Sequence, residues 1–236
     1  LQNARKDSWG RPERFWAGPS SDSIVATMTA GLLERGAELR RLRESLRGAE
    51  QGRGSVVLVS SVSGLTAAAV TRGVQKHPGR GVTIKPFAAN NQEYNRVNTN
   101  SLISQRALRE IYLRGFGLCI RESQPAAVMT SYNLINGIHT SESRELTQDV
   151  LRSEFGFQGI VMTDWVVEGP GMYNSRRFPR PDPGNVAMAG GDLFMPGSKA
   201  DYDRLLKKLR AGKLTRQQLE RNATRMLRFC QRLAGK

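Results

Sequence analysis

From Gly81 onward the chain alternates short apolar runs with stretches of helical period, and that alternation constrains the fold more than any other feature. GVTIKPF, AAVMTSY, GIVMTDW and GGDLFMPG read as strands, each too continuously apolar for a sheet with one wet face. Between them lie SQRALREIYLRGFGLCIRES, with Ala107, Leu108, Ile111, Leu118 and Cys119 on or near one stripe, and SRELTQDVLRSEFG, with Ser143 as N-cap and Gly156 as stop. A Pro/Gly-rich loop, EGPGMYNSRRFPRPDPG, and a short helix precede the fourth strand. SKADYDRLLKKLRAG and TRQQLERNATRMLRFCQRLAG close the chain as helices. The pattern predicts an α/β fold with a parallel sheet covered by helices.

In such a sheet, ligands bind where strands end. Each predicted strand ends in a polar or aromatic cluster: Lys85, then Ser131, Tyr132 and Asn133, then Asp164 and Trp165, and Asp192 followed by Met195. No GxGxxG or GxxxxGK loop follows any strand, which argues against a nucleotide fold. The front of the chain differs. Residues 21 to 50 suit one long amphipathic helix carrying Leu32, Leu39, Leu42 and Leu46, and SVVLVSS suits one strand. Too few strand-helix units precede Gly81 for a whole eight-stranded barrel.

Composition narrows the function classes. No apolar run approaches the roughly 20 residues of a membrane span, and the chain opens LQNARKDSWG without a signal-like apolar region, so a cytoplasmic protein is the default expectation. Cys119 and Cys230 belong to no Cys/His spacing, and each sits in an apolar helical pattern where a small buried thiol is the plain reading. Neither a metal site nor a cofactor is expected. The 36 Lys plus Arg against 21 Asp plus Glu give a net charge of +15. That balance invites nucleic acid, most of all at the basic stretch from Arg35 to Arg53. The charges there interleave with acids, as in ERGAELRRLRESLRGAE, and no aromatic side chain is present to stack bases. A solvated arginine-rich surface is the preferred reading.

The run AAVMTSYNLINGIHTSESRELTQDVLRSEFGFQGIVMTDW resembles the core of glycoside hydrolase family 3, the β-glucosidase type. IKPFAANNQEYNR upstream and AGGDLFMPGS downstream fall in the family's order, so the resemblance covers roughly Gly64 to the C-terminus. Before that, only WGRPERF is similar to the family's GR-containing segment. The expected organisation is a divergent, mostly helical segment over residues 1–63 and a partial or rearranged (β/α) TIM-type barrel over 64–236.

The resemblance implies retaining hydrolysis of β-glucosides or related β-linked sugars through a glycosyl-enzyme intermediate. Asp164, in the TDW motif, corresponds to the nucleophile. Taken alone, an Asp there is more often a turn or cap residue. Trp165 corresponds to a residue packing on the sugar, and Lys85, in the family's KHF position, to a donor to sugar hydroxyls whose charge also offsets that of Asp164. Tyr132 corresponds to a rim tyrosine near the nucleophile, Arg11 to a sugar-binding arginine, and His139 is read as a loop residue lining the mouth.

Three departures stand out. Pro86 replaces the histidine of KHF and supplies neither a side-chain donor nor a backbone N–H. The early strand that carries a sugar-binding Asp in the family has no recognisable counterpart. Neither does the second α/β domain, which delivers the general acid/base. Candidates within the chain for that role are Glu168, Glu93 and Glu142, each read first as a solvated or structural carboxylate. A partial barrel exposes sheet edges, so a second copy is expected to cover them. The alternative reading is a catalytically weak carbohydrate-binding remnant of such an enzyme.

Overall fold

The computed structural model describes the backbone of residues 26–29 and 55–60 and, with side chains, residues 64–92, 94–166 and 177–234. Arg11, Glu93, Glu168 and the basic stretch from Arg35 to Arg53 lie outside the described residues. In chain order the strands are β1 (Ala26–Thr29), β2 (Ser55–Ser60), β3 (Arg80–Phe87), β4 (Asn100–Ser101), β5 (Ala127–Thr130), β6 (Leu134–Ile135), β7 (Ile138–His139) and β8 (Ile160–Met162). The main sheet has the order β1-β2-β3-β5-β8, and every neighbouring pair is parallel. Sequential order with parallel pairing agrees with the expected α/β class. Among the described residues the sheet is open.

Among the described residues the longer helices are α1 (Gly64–Gln75), α2 (Arg114–Ser123), α3 (Glu145–Glu154), α4 (Pro183–Ala189), α5 (Lys199–Arg210) and α6 (Arg216–Leu233). Their ends follow local chemistry. Ser143 Oγ accepts the Leu146 N–H, and Gly156, at φ +67°, turns the chain while Phe157 N–H returns to the Leu151 carbonyl. Ser198 caps α5, and Thr215 with Gln218 forms a reciprocal capping box on α6.

The core lies between the sheet and its helices. Val82, Ile84 and Phe87 of β3, Val128 of β5 and Val161 of β8 pack with Ala67, Ala68, Cys119, Ile120, Val150 and Leu151. Each such aliphatic or aromatic side chain contributes about 1.5–3 kcal/mol on burial. Gly159, just before β8, needs its missing side chain, because a Cβ there would sit 2.3 Å from the Ala126 carbonyl oxygen.

Several expectations are corrected. The stretch 21–50 is not one helix, since β1 lies inside it, and β1 and β2 extend the same sheet as β3, β5 and β8. GGDLFMPG does not ladder as a fourth strand. Bounded by Gly190, Gly191 and Pro196, it makes one parallel bridge, Met162 to Leu193. Ile111 is 68% exposed, while Leu108 and Leu113 are buried. The cause is a turn of π type at Leu108–Tyr112, where Leu113 N–H reaches back to the Leu108 carbonyl and shifts the phase of the apolar stripe. Cys119 is buried as expected, but Cys230 is exposed. No helix among the described residues is long and apolar enough to cross a membrane.

Candidate active site

The C-terminal ends of β3, β5 and β8 converge on Asp164. Lys85 leaves β3 where its register with β5 slips: Ile84 pairs with Val128, but Phe87 pairs with Thr130, leaving one extra residue on β3. A bulge of this kind re-aims side chains, and it tolerates Pro86, whose missing N–H costs no ladder bond there. Lys85 Nζ donates to Asp164 Oδ2 at 2.8 Å. The pair is largely removed from water, with side-chain exposures of 22% and 8%.

The SYN motif just past the end of β5 does two jobs, with the chain bending at Tyr132 and Asn133. Ser131 Oγ and Asn133 Nδ2 both donate to the Ala88 carbonyl, at 3.0 and 3.3 Å, and tie the β3 exit to β5. Tyr132, between them, donates its phenol to Asp164 Oδ1 at 3.0 Å. The Tyr132 ring is fixed in turn by Val166, Val97 and Phe194, and the Arg96 guanidinium lies 4.4 Å from its centroid.

The TDW segment is held from its other side by residues 193–195. Thr163 N–H donates to the Leu193 carbonyl, Thr163 Oγ1 accepts the Met195 N–H at 2.8 Å, and Val166 N–H donates to the Met195 carbonyl at 2.8 Å. The Trp165 backbone N–H closes the set by donating to Asp164 Oδ1 at 2.8 Å. A buried carboxylate with three donors in place and rigid strand ends behind them is preorganised. Beside it the Trp165 indole is 39% exposed, an apolar face of the kind that meets sugar C–H groups.

The structure thus brings together Asp164, Lys85, Tyr132 and Trp165 and leaves two other expected residues elsewhere. His139 is buried, with its Nε2 2.6 Å from the Pro179 carbonyl, and so braces the 177–182 loop instead of lining an open mouth. Glu142 accepts the Asp182 N–H and Asn185 Nδ2 at the start of α4. Both of its oxygens are engaged at the start of that helix. Sequence reasoning missed Arg96 and the clamp at Thr163 and Met195. The NNQEYNR motif contained the arginine, but its ring contact is visible only in three dimensions. Among the described residues no group of His, Cys, Asp and Glu is arranged to hold a metal.

Comparison with known proteins places the chain in a family. The profile of the glycosyl hydrolase family 3 N terminal domain matches residues 55–229, beginning ahead of the boundary expected at Gly64 and taking in β2. The exo-alpha-(1->6)-L-arabinopyranosidase of Bifidobacterium breve is 41% identical over 166 residues, which are 70% of this chain and 20% of that protein. The probable beta-glucosidase K of Emericella nidulans is 40% identical over 171 residues, 72% of this chain and 19% of that one. Beta-glucosidase 3B from Thermotoga neapolitana, solved in complex with glucose, superposes with a TM-score of 0.69 at 31% identity over 78% of this chain and 28% of its own. The chain therefore spans about a fifth of the length of the curated relatives it matches. With the profile covering most of its residues, the chain belongs to glycosyl hydrolase family 3, in the N terminal domain of that family.

Proposed function

We propose that the chain is the nucleophile-bearing part of a retaining glycosidase acting on β-glucosides or related β-linked sugars. The observation that carries the proposal is the buried Asp164 carboxylate, oriented by Lys85, Tyr132 and the Trp165 N–H beneath an exposed indole. An Asp164 oxygen attacks the anomeric carbon as the bond to the aglycone oxygen breaks, and that oxygen takes a proton from a general acid. Water then attacks the glycosyl-enzyme ester on the opposite face and gives its proton to the same group, now acting as base, which frees Asp164 and the sugar with net retention. Lys85 offsets the charge of Asp164 between turnovers. Tyr132 keeps one oxygen engaged so that the other faces the sugar. Relatives named as beta-glucosidases support this substrate class, and the relative named as an exo-alpha-(1->6)-L-arabinopyranosidase supports glycoside hydrolysis more broadly.

A second reading is a carbohydrate-binding protein of low activity, supported by the engagement of Glu142, the described candidate for the acid, at the start of α4. The acid that retention requires stands about 5–5.5 Å from the nucleophile. Glu142 is committed to α4, and Glu93 and Glu168 lie outside the described residues. A series of aryl β-glucosides separates the readings, because a good leaving group needs little protonation. Where the acid is missing, the rate falls steeply as the phenol becomes less acidic. Where it is present the rate is nearly flat, and a binding protein shows cellobiose binding by calorimetry with no release of even the most acidic phenol.

We further propose that a second copy covers the open edges of the sheet, since β1 and β8 each have one edge with no full strand partner among the described residues. Light scattering on the eluting peak should read twice the chain mass. A clean monomer at assay concentration removes the dimer and leaves the site assignment intact.

A further inference from the structure

A second site faces away from Asp164. Ala126 and Gly159 immediately precede β5 and β8, so the cavity of about 420 Å³ that they help line opens at the end of the sheet opposite the carboxylate. Its walls carry Arg152 of α3 and Arg225, Arg228 and Arg232 of α6, with the Phe157 and Phe229 rings between them. On α6 the three arginines stand at i, i+3 and i+7, a spacing that puts them on one face. The volume is within the range of small-ligand sites, roughly 300–1,000 Å³.

Among the described residues the charge in this cavity is not balanced. Asp192 is the carboxylate that serves it: Oδ2 accepts Arg152 Nη2 at 2.7 Å, and Oδ1 accepts Arg225 Nη1 at 3.1 Å. Among the described residues, one carboxylate therefore faces four guanidinium groups. Arg228 and Arg232 are exposed and make no hydrogen bond or ion pair with a described residue. Arg152 Nε is buried and has no acceptor. Asp192 fixes two forks in place, and a further anion would satisfy donors that the fold leaves open. Guanidinium forks match the oxygens of phosphate in bidentate fashion, and a partly desolvated site strengthens each bond.

We propose that this cavity is a binding site for a small polyvalent oxyanion, a phosphate or pyrophosphate group, held by Arg225, Arg228 and Arg232 above the Asp192-anchored Arg152. The site is separate from the proposed hydrolytic one, and its occupant is not the sugar substrate of that site.

The test is calorimetric titration of the full chain at low ionic strength with pyrophosphate, inorganic phosphate and glucose 6-phosphate. Two variants lose equal charge: R228A/R232A within the cavity, and R210A/R221A on exposed positions that do not line it. Saturable one-to-one pyrophosphate binding is expected. R228A/R232A should weaken it by about tenfold or more, the scale of losing charge-assisted bonds, while R210A/R221A stays within about twofold. Tighter binding of glucose 6-phosphate than of inorganic phosphate identifies an organic phosphate as the source, the reverse order a free anion, and either agrees with the site. Absence of saturation, or equal weakening in both variants, overturns the proposal and reduces the effect to the diffuse attraction of a strongly basic surface. Circular dichroism of both variants checks that the fold is kept.

Discussion

Asp164→Asn lowers turnover of 2,4-dinitrophenyl β-glucoside by roughly 10⁴-fold or more, the scale on which loss of a covalent nucleophile is felt. The substitution keeps the shape of the side chain. Its amide can still accept from Tyr132 and the Trp165 N–H, but it offers Lys85 no negative partner and the anomeric carbon no anionic oxygen. Because the dinitrophenolate leaves without help, the loss reports attack alone and is independent of where the acid resides. A 2-deoxy-2-fluoro glucoside gives a second readout: it should add one glycosyl mass to the wild-type peptide that contains Asp164 and none to the variant. Equal rates for the two proteins, or a label on another carboxylate, would sink the assignment. Lys85→Ala is a weaker perturbation of the same carboxylate, and it should leave labelling on Asp164 while slowing it.

The parts of this site legible in the sequence are those encoded by residues adjacent in the chain. GIVMTDW announces a strand that ends in a carboxylate and an indole, and the structure has that strand at Ile160–Met162 with both residues just past it. AAVMTSY and GVTIKPF are equally local, and so are the caps at Ser143 and Gly156. What the sequence does not display is pairing between distant positions. The Arg96 contact with Tyr132, the Met195 hold on Thr163 and the diversion of Glu142 to α4 each join residues far apart in the chain. The Ile111 error has another origin, because a periodic reading assumes a constant turn and one π-type turn breaks the phase. GGDLFMPG was apolar enough to read as a strand, and its glycines and proline decided otherwise. Its value to the site is a single bridge and a clamp.

That same short segment is where the largest loss of stability is expected. Asp192→Ala should destabilise the protein by about 3–5 kcal/mol, the range for removing one partner of a buried charge network. The Asp192 side chain has 0% exposure, and its carboxylate takes three donors: Arg152 Nη2 and the Val161 N–H on Oδ2, and Arg225 Nη1 on Oδ1. Burial pushes its carboxyl up, while Arg152, the Val161 N–H and Arg225 pull it back. Burial likewise brings the Arg152 guanidinium down to about 10, partly offset by Asp192 and deepened by the repulsion of Arg225. Both directions say that desolvation outweighs pairing, so the network adds little over a well-packed apolar cluster; the cost of the variant comes from leaving two guanidinium groups facing one another with no carboxylate. Two consequences separate this account from ordinary cavity formation. The double variant D192A/R152M should recover a substantial part of the loss, because it removes one of the stranded charges. The single variant should also loosen Asp164, since Val161, Leu193 and Met195 connect the Asp192 anchor to the TDW segment. Thermal unfolding followed by circular dichroism should place D192A roughly 6–20 °C below the parent, from about 2–4 °C per kcal/mol for a chain of this size. A fall of under about 2 °C, or no recovery in the double variant, would show that the network is not what joins the two ends of this strand.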